Sequence, residues 1–219
     1  MWWHGPGMGL FGWGFMPGHG LLIALLLIFA VIAMTRRAQR RLPSAGMRSL
    51  DILEERYAKG VNPIYRSIER TSLAEWQNIL DTNLTGVFLC CKYLGAIMAE
   101  QRSGSIISIS SVAGHIGLAR SAPYNATKGG VELLTKSLAI DWAQKGVRVN
   151  CIAPGYFETD LTAGMRENEA MTTKLLSRTP LNRFGKLNDL AGAAVFLASD
   201  ASAYVTGQSL RVDGGYTAS

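Results

Sequence analysis

The sequence predicts an α/β fold: a doubly wound parallel sheet in the second half of the chain, preceded by a transmembrane helix. Two patterns carry the prediction. Short β-branched runs (Gly104–Ser110, Val147–Ala153, Ser209–Val212) alternate with stretches of helical periodicity. Strands separated by helices call for right-handed crossovers and a sheet covered on both faces. In front of this region, no Asp, Glu, Lys or Arg occurs before Arg36. At 219 residues, 48% hydrophobic and 17% charged, the chain is one large domain or two small ones, and neither disordered nor collagen-like.

Residues 1–20 form a segment rich in Gly, Trp, Phe and Met, and 21–35 is an unbroken apolar run. Fifteen residues rise only roughly 22 Å against a hydrocarbon core of about 30 Å. The stretch back to Leu10 supplies the missing length, with Trp13 and Phe15 as interfacial anchors. No positive residue precedes the run and no small-residue cleavage site follows it, which disfavours a secretory signal. A buried core helix is the alternative. Arg36, Arg37, Arg40 and Arg41 follow directly, and the positive-inside rule then puts the C-terminal domain on the cytoplasmic side of a single span through the lipid bilayer. Gly7-Met8-Gly9-Leu10-Phe11-Gly12 spells G-x-G-x-x-G, but without a preceding strand and a following crossover helix the letters do not make a nucleotide site.

Residues 36–63 read as a basic linker and a short helix. Pro43-Ser44-Ala45-Gly46 is linker sequence. In Ser49-LDILEERYAKG-Gly60, Ser49 or Asp51 caps the start, Leu50, Leu53 and Tyr57 share one face, and Gly60 stops it. This stretch and its Gly/Trp-rich head resemble the short C-terminal (SHOCT) domain of small bacterial membrane proteins.

From residue 64 to 219 the helix–strand alternation takes over. Ser72 and Glu75 make a capping box before a first helical stretch. A second runs from Thr85 to Gln101, with Val87, Cys91, Leu94 and Met98 at helical spacing. Gly104–Ser110 is a buried strand. Ala126 to Gln144 is a helix, Val147–Ala153 a strand ended by Pro154-Gly155, Asp189 to Ala198 a helix, and Ser209–Val212 a last strand before Asp213-Gly214-Gly215.

Charge and cysteines exclude several chemistries. Residues 1–70 carry 9 Lys/Arg against 4 Asp/Glu, while 71–219 carry 13 against 12. The excess sits beside the apolar run, so topology and not nucleic acid explains it. Cys90, Cys91 and Cys151 have no zinc-ligand spacing and are too few for a disulfide scaffold, so no metal site is expected and the thiols read as small buried hydrophobes.

Tyr124 and Lys128 lie four residues apart, on one face of a helix one turn apart. A free phenol near pKa 10 is a poor acid–base catalyst at neutral pH, and a nearby ammonium favours the phenolate. Ser111 ends a strand 13 positions earlier, where a hydroxyl can bond a substrate oxygen. Alone, Tyr-x-x-x-Lys arises by chance on surface helices, and strand-ending serines often only cap the next turn. His4, His19 and His115 read as surface or interfacial polarity.

The set as a whole carries more. Asp81-Thr-Asn83-Leu-Thr-Gly86, Ile109-Ser-Ser-Val-Ala-Gly114, Tyr124-x-x-x-Lys128, Arg148-Val-Asn-Cys-Ile-Ala-Pro-Gly155 and Val212-Asp-Gly-Gly215 occur in order. From about Ser67 onward the chain resembles the catalytic half of a short-chain dehydrogenase/reductase, a Rossmann-like family. Pro154-Gly-Tyr-Phe-Glu-Thr-Asp160 and Pro180-Leu-Asn-Arg-Phe-Gly185 look most like its gluconate 5-dehydrogenase branch. The resemblance implies NAD or NADP as cofactor, a small-molecule alcohol or ketone as substrate, and hydride transfer between them. It implies that Tyr124 exchanges the substrate proton and that Ser111 orients the substrate oxygen. Lys128 would tune the phenol and hold the nicotinamide ribose, and Asn83 a relay water. Pro154, Gly155 and Thr159 would flank the nicotinamide. It also implies a homo-oligomer through helices near 85–101 and 126–145.

The family's opening strand, its Thr-Gly-x-x-x-Gly-x-Gly loop, its ribose-recognising residue and its Asn-Asn-Ala-Gly segment find no counterpart here. A truncated sheet is therefore expected, with a bare apolar edge beside Ser105–Ser110 and with little or no dehydrogenase activity. The alternatives are a non-catalytic membrane-tethered fusion or rearranged reading frame, and a half completed by an intact family partner.

Overall fold

The computed structural model describes residues 66–218. The expected span over 21–35, the segments 1–20 and 36–63 and the SHOCT-like helix lie outside the described residues.

Helix α1 (Leu73–Leu80) opens on the expected capping box. Ser72 Oγ accepts from Glu75 N at 3.2 Å, and Ser72 N donates to Glu75 Oε2 at 2.8 Å. Such a cap stabilises a helix by about 1 kcal/mol. The two helical stretches expected on either side of Thr85 are in fact one. α1 runs through a π-helical turn at Asp81–Thr85 into α2 (Gly86–Gln101), a continuous 29 residues. No Gly or Pro stands between Leu80 and Thr85 to break it, and the extra residue is absorbed as a bulge. By length and apolar composition this helix also passes for a bilayer span. One stripe of it, however, is a domain layer: Cys91 is in the core, and Gly95 leaves room for Trp142, whose ring would stand 2.2 Å from a Cβ there.

β1 (Gly104–Ile109), β2 (Val147–Pro154) and β3 (Ser209–Val212) form one parallel sheet in the order β1-β2-β3, with Ser108 opposite Cys151 and Cys151 opposite Ser209. Between the first two lies α3 (Ala122–Ala143), which begins four residues before the expected Ala126. Pro123 sits in its first turn, where no backbone N–H is needed. The segment after β2 carries two short helices that the sequence pattern does not announce, α4 (Ala163–Arg166) and α5 (Glu169–Leu176). α6 (Leu187–Ala198) precedes β3.

Alternation along β2 builds both faces. Val147 and Val149 join Cys91, Ile106 and Ala139 in a cluster beneath α2 and α3, each buried aliphatic side chain contributing about 1.5–3 kcal/mol. On the other face Arg148 Nη2 donates to the carbonyls of Leu197 (2.9 Å) and Ser199 (3.2 Å), fastening the end of α6. Asn150 brackets the return to β3, giving a hydrogen bond to Val205 O and taking one from Gln208 N.

Among the described residues no strand pairs with the outer side of β1. Because Ser110 N donates inward to Ile152 O, alternation turns the peptide groups of Ser105, Ile107 and Ile109 outward. Ile109 is 48% exposed there.

Candidate active site

The C-terminal ends of β1 and β2 and one face of α3 bring most of the expected residues to one place. β1 runs into a 3₁₀ turn at Val112–Gly114, packed directly on α3. Only glycine fits at 114: a Cβ would lie 2.9 Å from Ser110 Oγ, 3.0 Å from Glu132 Cγ and 3.0 Å from Lys128 O. Ser110 Oγ donates to that Lys128 carbonyl at 3.3 Å. Ser111, 9% exposed, accepts from Ala113 N at 3.2 Å. Its oxygen therefore caps the turn, and its proton stays available to donate.

Lys128 is 9% exposed, and its Nζ donates to Ile109 O at 2.9 Å while standing 5.6 Å from the centre of the Tyr124 ring. The ammonium thus bridges the end of β1 and the phenol one turn back on α3. Burial drives the Lys128 pKa down from 10.5 to about 8, and the nearby Glu132 carboxylate pulls it partly back up. Tyr124 is half-buried. Asn83 lies in the π-helical turn, its Nδ2 donating to Ile79 O at 3.2 Å. Leu84 beside it packs on Gly130, where a Cβ would come within 2.9 Å, so the turn is seated against the Lys128 segment.

Pro154 ends β2 opposite Val212, and Gly155 N donates to Val212 O at 3.0 Å. A Cβ on Gly155 would sit 2.8 Å from Asp213 Cα, so glycine is what lets the chain turn there. Asp213 in turn accepts from Gly215 N, Thr217 N and Thr217 Oγ1. Thr159 opens the 3₁₀ turn at Asp160–Thr162, its Oγ1 3.4 Å from that of Thr162. Tyr156 meets Tyr216 edge-on with centroids 5.2 Å apart, and Arg178 lies over the same Tyr216 ring at 4.7 Å.

Sequence reasoning missed a polar cluster behind Lys128. Glu132, 6% exposed, accepts from Ser209 Oγ at 3.0 Å and from Cys151 Sγ at 3.2 Å, and lies 3.3 Å from His115 Nε2. Only the four-residue step from Lys128 to Glu132 signals it in the sequence. His115, expected as surface or interfacial polarity, is part of it. Cys151 is fully buried as expected, yet it also spends its proton on a carboxylate, and burial pushes its pKa up to about 12.

A parallel α/β sheet with a hydroxyl, a phenol and a buried ammonium at its strand ends defines a class, the proteins that bind ligands beyond the carboxyl ends of their strands. Residues 33–217 match the family model described as enoyl-(acyl carrier protein) reductase. The chain is 42% identical to a gluconate 5-dehydrogenase of Gluconobacter oxydans (strain 621H) over 152 residues, 69% of this chain and 59% of that protein. It is 46% identical to a 3-oxoacyl-(acyl-carrier-protein) reductase of Synechocystis sp. over 147 residues, 67% of this chain and 58% of that one. The crystal structure of a gluconate 5-dehydrogenase from Burkholderia cenocepacia J2315, in complex with NADP and tartrate, superimposes with a TM-score of 0.69 at 41% identity. It covers 70% of this chain and 60% of its own. The chain belongs to the short-chain dehydrogenase/reductase family, a family of oxidoreductases. It spans less than two thirds of the length of these relatives.

Proposed function

We propose that this chain carries the proton-handling part of an NAD- or NADP-dependent oxidoreductase for a secondary alcohol or ketone of sugar-acid or polyol type. In this reading a single span over residues 21–35, within a SHOCT-like head, tethers the domain 64–219 to the cytoplasmic face of a membrane. The observation that carries the reading is the reach of the buried Lys128 ammonium to both Ile109 O and the Tyr124 ring, two residues from Ser111.

The donor set fits the nicotinamide end of such a cofactor. Lys128 and Thr159 offer donors, and Pro154-Gly155 makes a turn with no side chain beyond the proline ring. The bound nicotinamide supplies a hydride acceptor or donor. The protein's own residues do the rest. Ser111 donates to the substrate oxygen and fixes its orientation, and Tyr124 takes or returns that oxygen's proton. Lys128 favours the phenolate by charge, and Asn83 passes the proton toward solvent through a water.

The phosphate end lacks a comparable seat among the described residues. β1 runs into Val112–Gly114, β2 into Pro154-Gly155 and β3 into Asp213–Gly215, and none of these is a glycine turn opening a long helix. Remote binding energy positions a reacting centre, so this polypeptide alone turns over weakly or not at all. The second reading, a non-catalytic tethered fusion or rearranged frame, rests on that same observation. A homo-oligomer would form through the helices near 85–101 and 126–145, an intact family partner would cover the β1 edge, and nothing in the charge pattern asks for nucleic acid.

Titration of the purified full chain with NADH and NADPH separates the readings, because saturable micromolar binding refutes the inactive one. Where turnover is seen, Tyr124→Phe lowers it at least about 100-fold, and unchanged turnover removes Tyr124 from the chemistry. Carbonate extraction that releases the protein to the supernatant refutes the span.

A further inference from the structure

Glu132 lies one helical turn beyond Lys128 on α3, and both are buried. Carboxylates are seldom buried without partners, and here every partner comes from another segment. His115 belongs to the turn that follows Ser111, Cys151 to β2 and Ser209 to β3. His115 Nε2 also lies 2.9 Å from Ser209 Oγ. One carboxylate therefore ties the helix bearing Tyr124 and Lys128 to the turn after Ser111 and to two strands.

The charged and titratable groups around Lys128 leave Glu132 as the one that matters near neutral pH. On its own helix, Tyr124 lies one turn before it and Glu132 one turn after it, and on β2 Cys151 lies against Glu132. Burial pushes that thiol up to about 12, so it carries no charge where Lys128 titrates. Arg148 points to the opposite face of the sheet, onto Leu197 O. On α1 and its π-helical extension, Glu75 is held by Ser72 and Arg66, and Asp81 takes a hydrogen bond from Gln77. Lys92 of α2 lies over Tyr93. His115, beyond the 3₁₀ turn, reaches Glu132.

We propose that Glu132 is a positioning residue for the Tyr124–Lys128 pair: its charge, anchored by Cys151 and Ser209, keeps the Lys128 ammonium protonated, and its approach to His115 ties the turn after Ser111 to α3. The inference rests on the reading of Lys128 as the group that tunes Tyr124, but its test needs neither cofactor nor turnover.

The test is an NMR titration of the full chain in detergent micelles with 13Cε-labelled lysine, the Lys128 signal being assigned by its loss in Lys128→Arg. The wild-type midpoint falls well below those of the surface lysines. Glu132→Gln lowers it further by about one pH unit or more, a tenfold fall in the ratio of charged to neutral amine at a given pH. Glu132→Met, which leaves no amide in the site, does the same. Glu132→Asp keeps the charge and stays nearer wild type. An unchanged midpoint in a folded Gln or Met variant overturns the proposal. So does an Asp variant that falls as far as Gln, since shape and not charge would then be the cause. Failure of the oxidoreductase reading shows elsewhere, as turnover unaffected by Tyr124→Phe.

Discussion

The buried ammonium of Lys128 makes stability depend on pH in a way that can be isolated. Its pKa is lowered by burial from 10.5 to about 8 in the native state, while in the unfolded chain it keeps the ordinary value. Between about pH 8 and 10.5 the unfolded state therefore binds more protons, and stability rises with pH across that window. Below about pH 8 the native state carries the full cost of a charge in a dry site, about 3 kcal/mol at 1.36 kcal/mol per pH unit. From pH 7 to 9.5 about 2 kcal/mol of this is relieved. Lys128→Met keeps the aliphatic stem and removes the charge. Other groups titrate in both proteins, so the difference between wild type and variant isolates Lys128. That difference, read from urea or thermal unfolding at the two pH values, changes by about 2 kcal/mol in favour of wild type as pH rises. In a domain of this size that is roughly 4–8 °C in Tm. Parallel pH profiles for the two proteins would refute the argument and leave Lys128 no more constrained than a surface lysine.

Three further outcomes follow from the geometry. Gly155→Ala forces a methyl against Asp213 Cα, an overpacking that costs about 1–3 kcal/mol. Thermal unfolding drops by roughly 2–12 °C, and an unchanged Tm would deny the close approach. Ser72→Ala removes one side of the capping box and costs about 1 kcal/mol, read as a urea midpoint shift with no change in slope. Burial pushes the Asp213 carboxyl up, but the Thr217 hydroxyl and the amides of Thr217 and Gly215 outweigh it and leave its pKa below 3.8. Its contribution is present above that value and lost as pH falls through the native one. Asp213→Asn therefore blunts acid unfolding, and an identical acid limb would argue against it.

The sequence makes local patterns legible. Alternation and β-branching mark all three strands, and Ser72 with Glu75 marks a helix start. Tyr124 and Lys128 show by their spacing, because four residues on a helix is also a distance in space. What stays hidden is assembled by register. Glu132, Cys151 and Ser209 come together only because β2 lies between β1 and β3 with Cys151 opposite Ser209, and His115 is 94 positions from Ser209. No periodicity links them. The π-helical turn around Asn83 is illegible for another reason: one extra residue in a helix changes no residue type, so two stretches of one period look like two helices. The start of α3 four residues before Ala126 includes Pro123, which suits a first turn.

Among the described residues the outer side of β1 has no strand beside it, which matters for how copies of this chain treat one another. Gly104–Ile109 spells Gly-Ser-Ile-Ile-Ser-Ile, uncharged and without proline, and proteins usually guard such a rim with lysines, bulges or a cover. Wherever that rim stays uncovered, copies gathered at high density would pair along it, strand to strand.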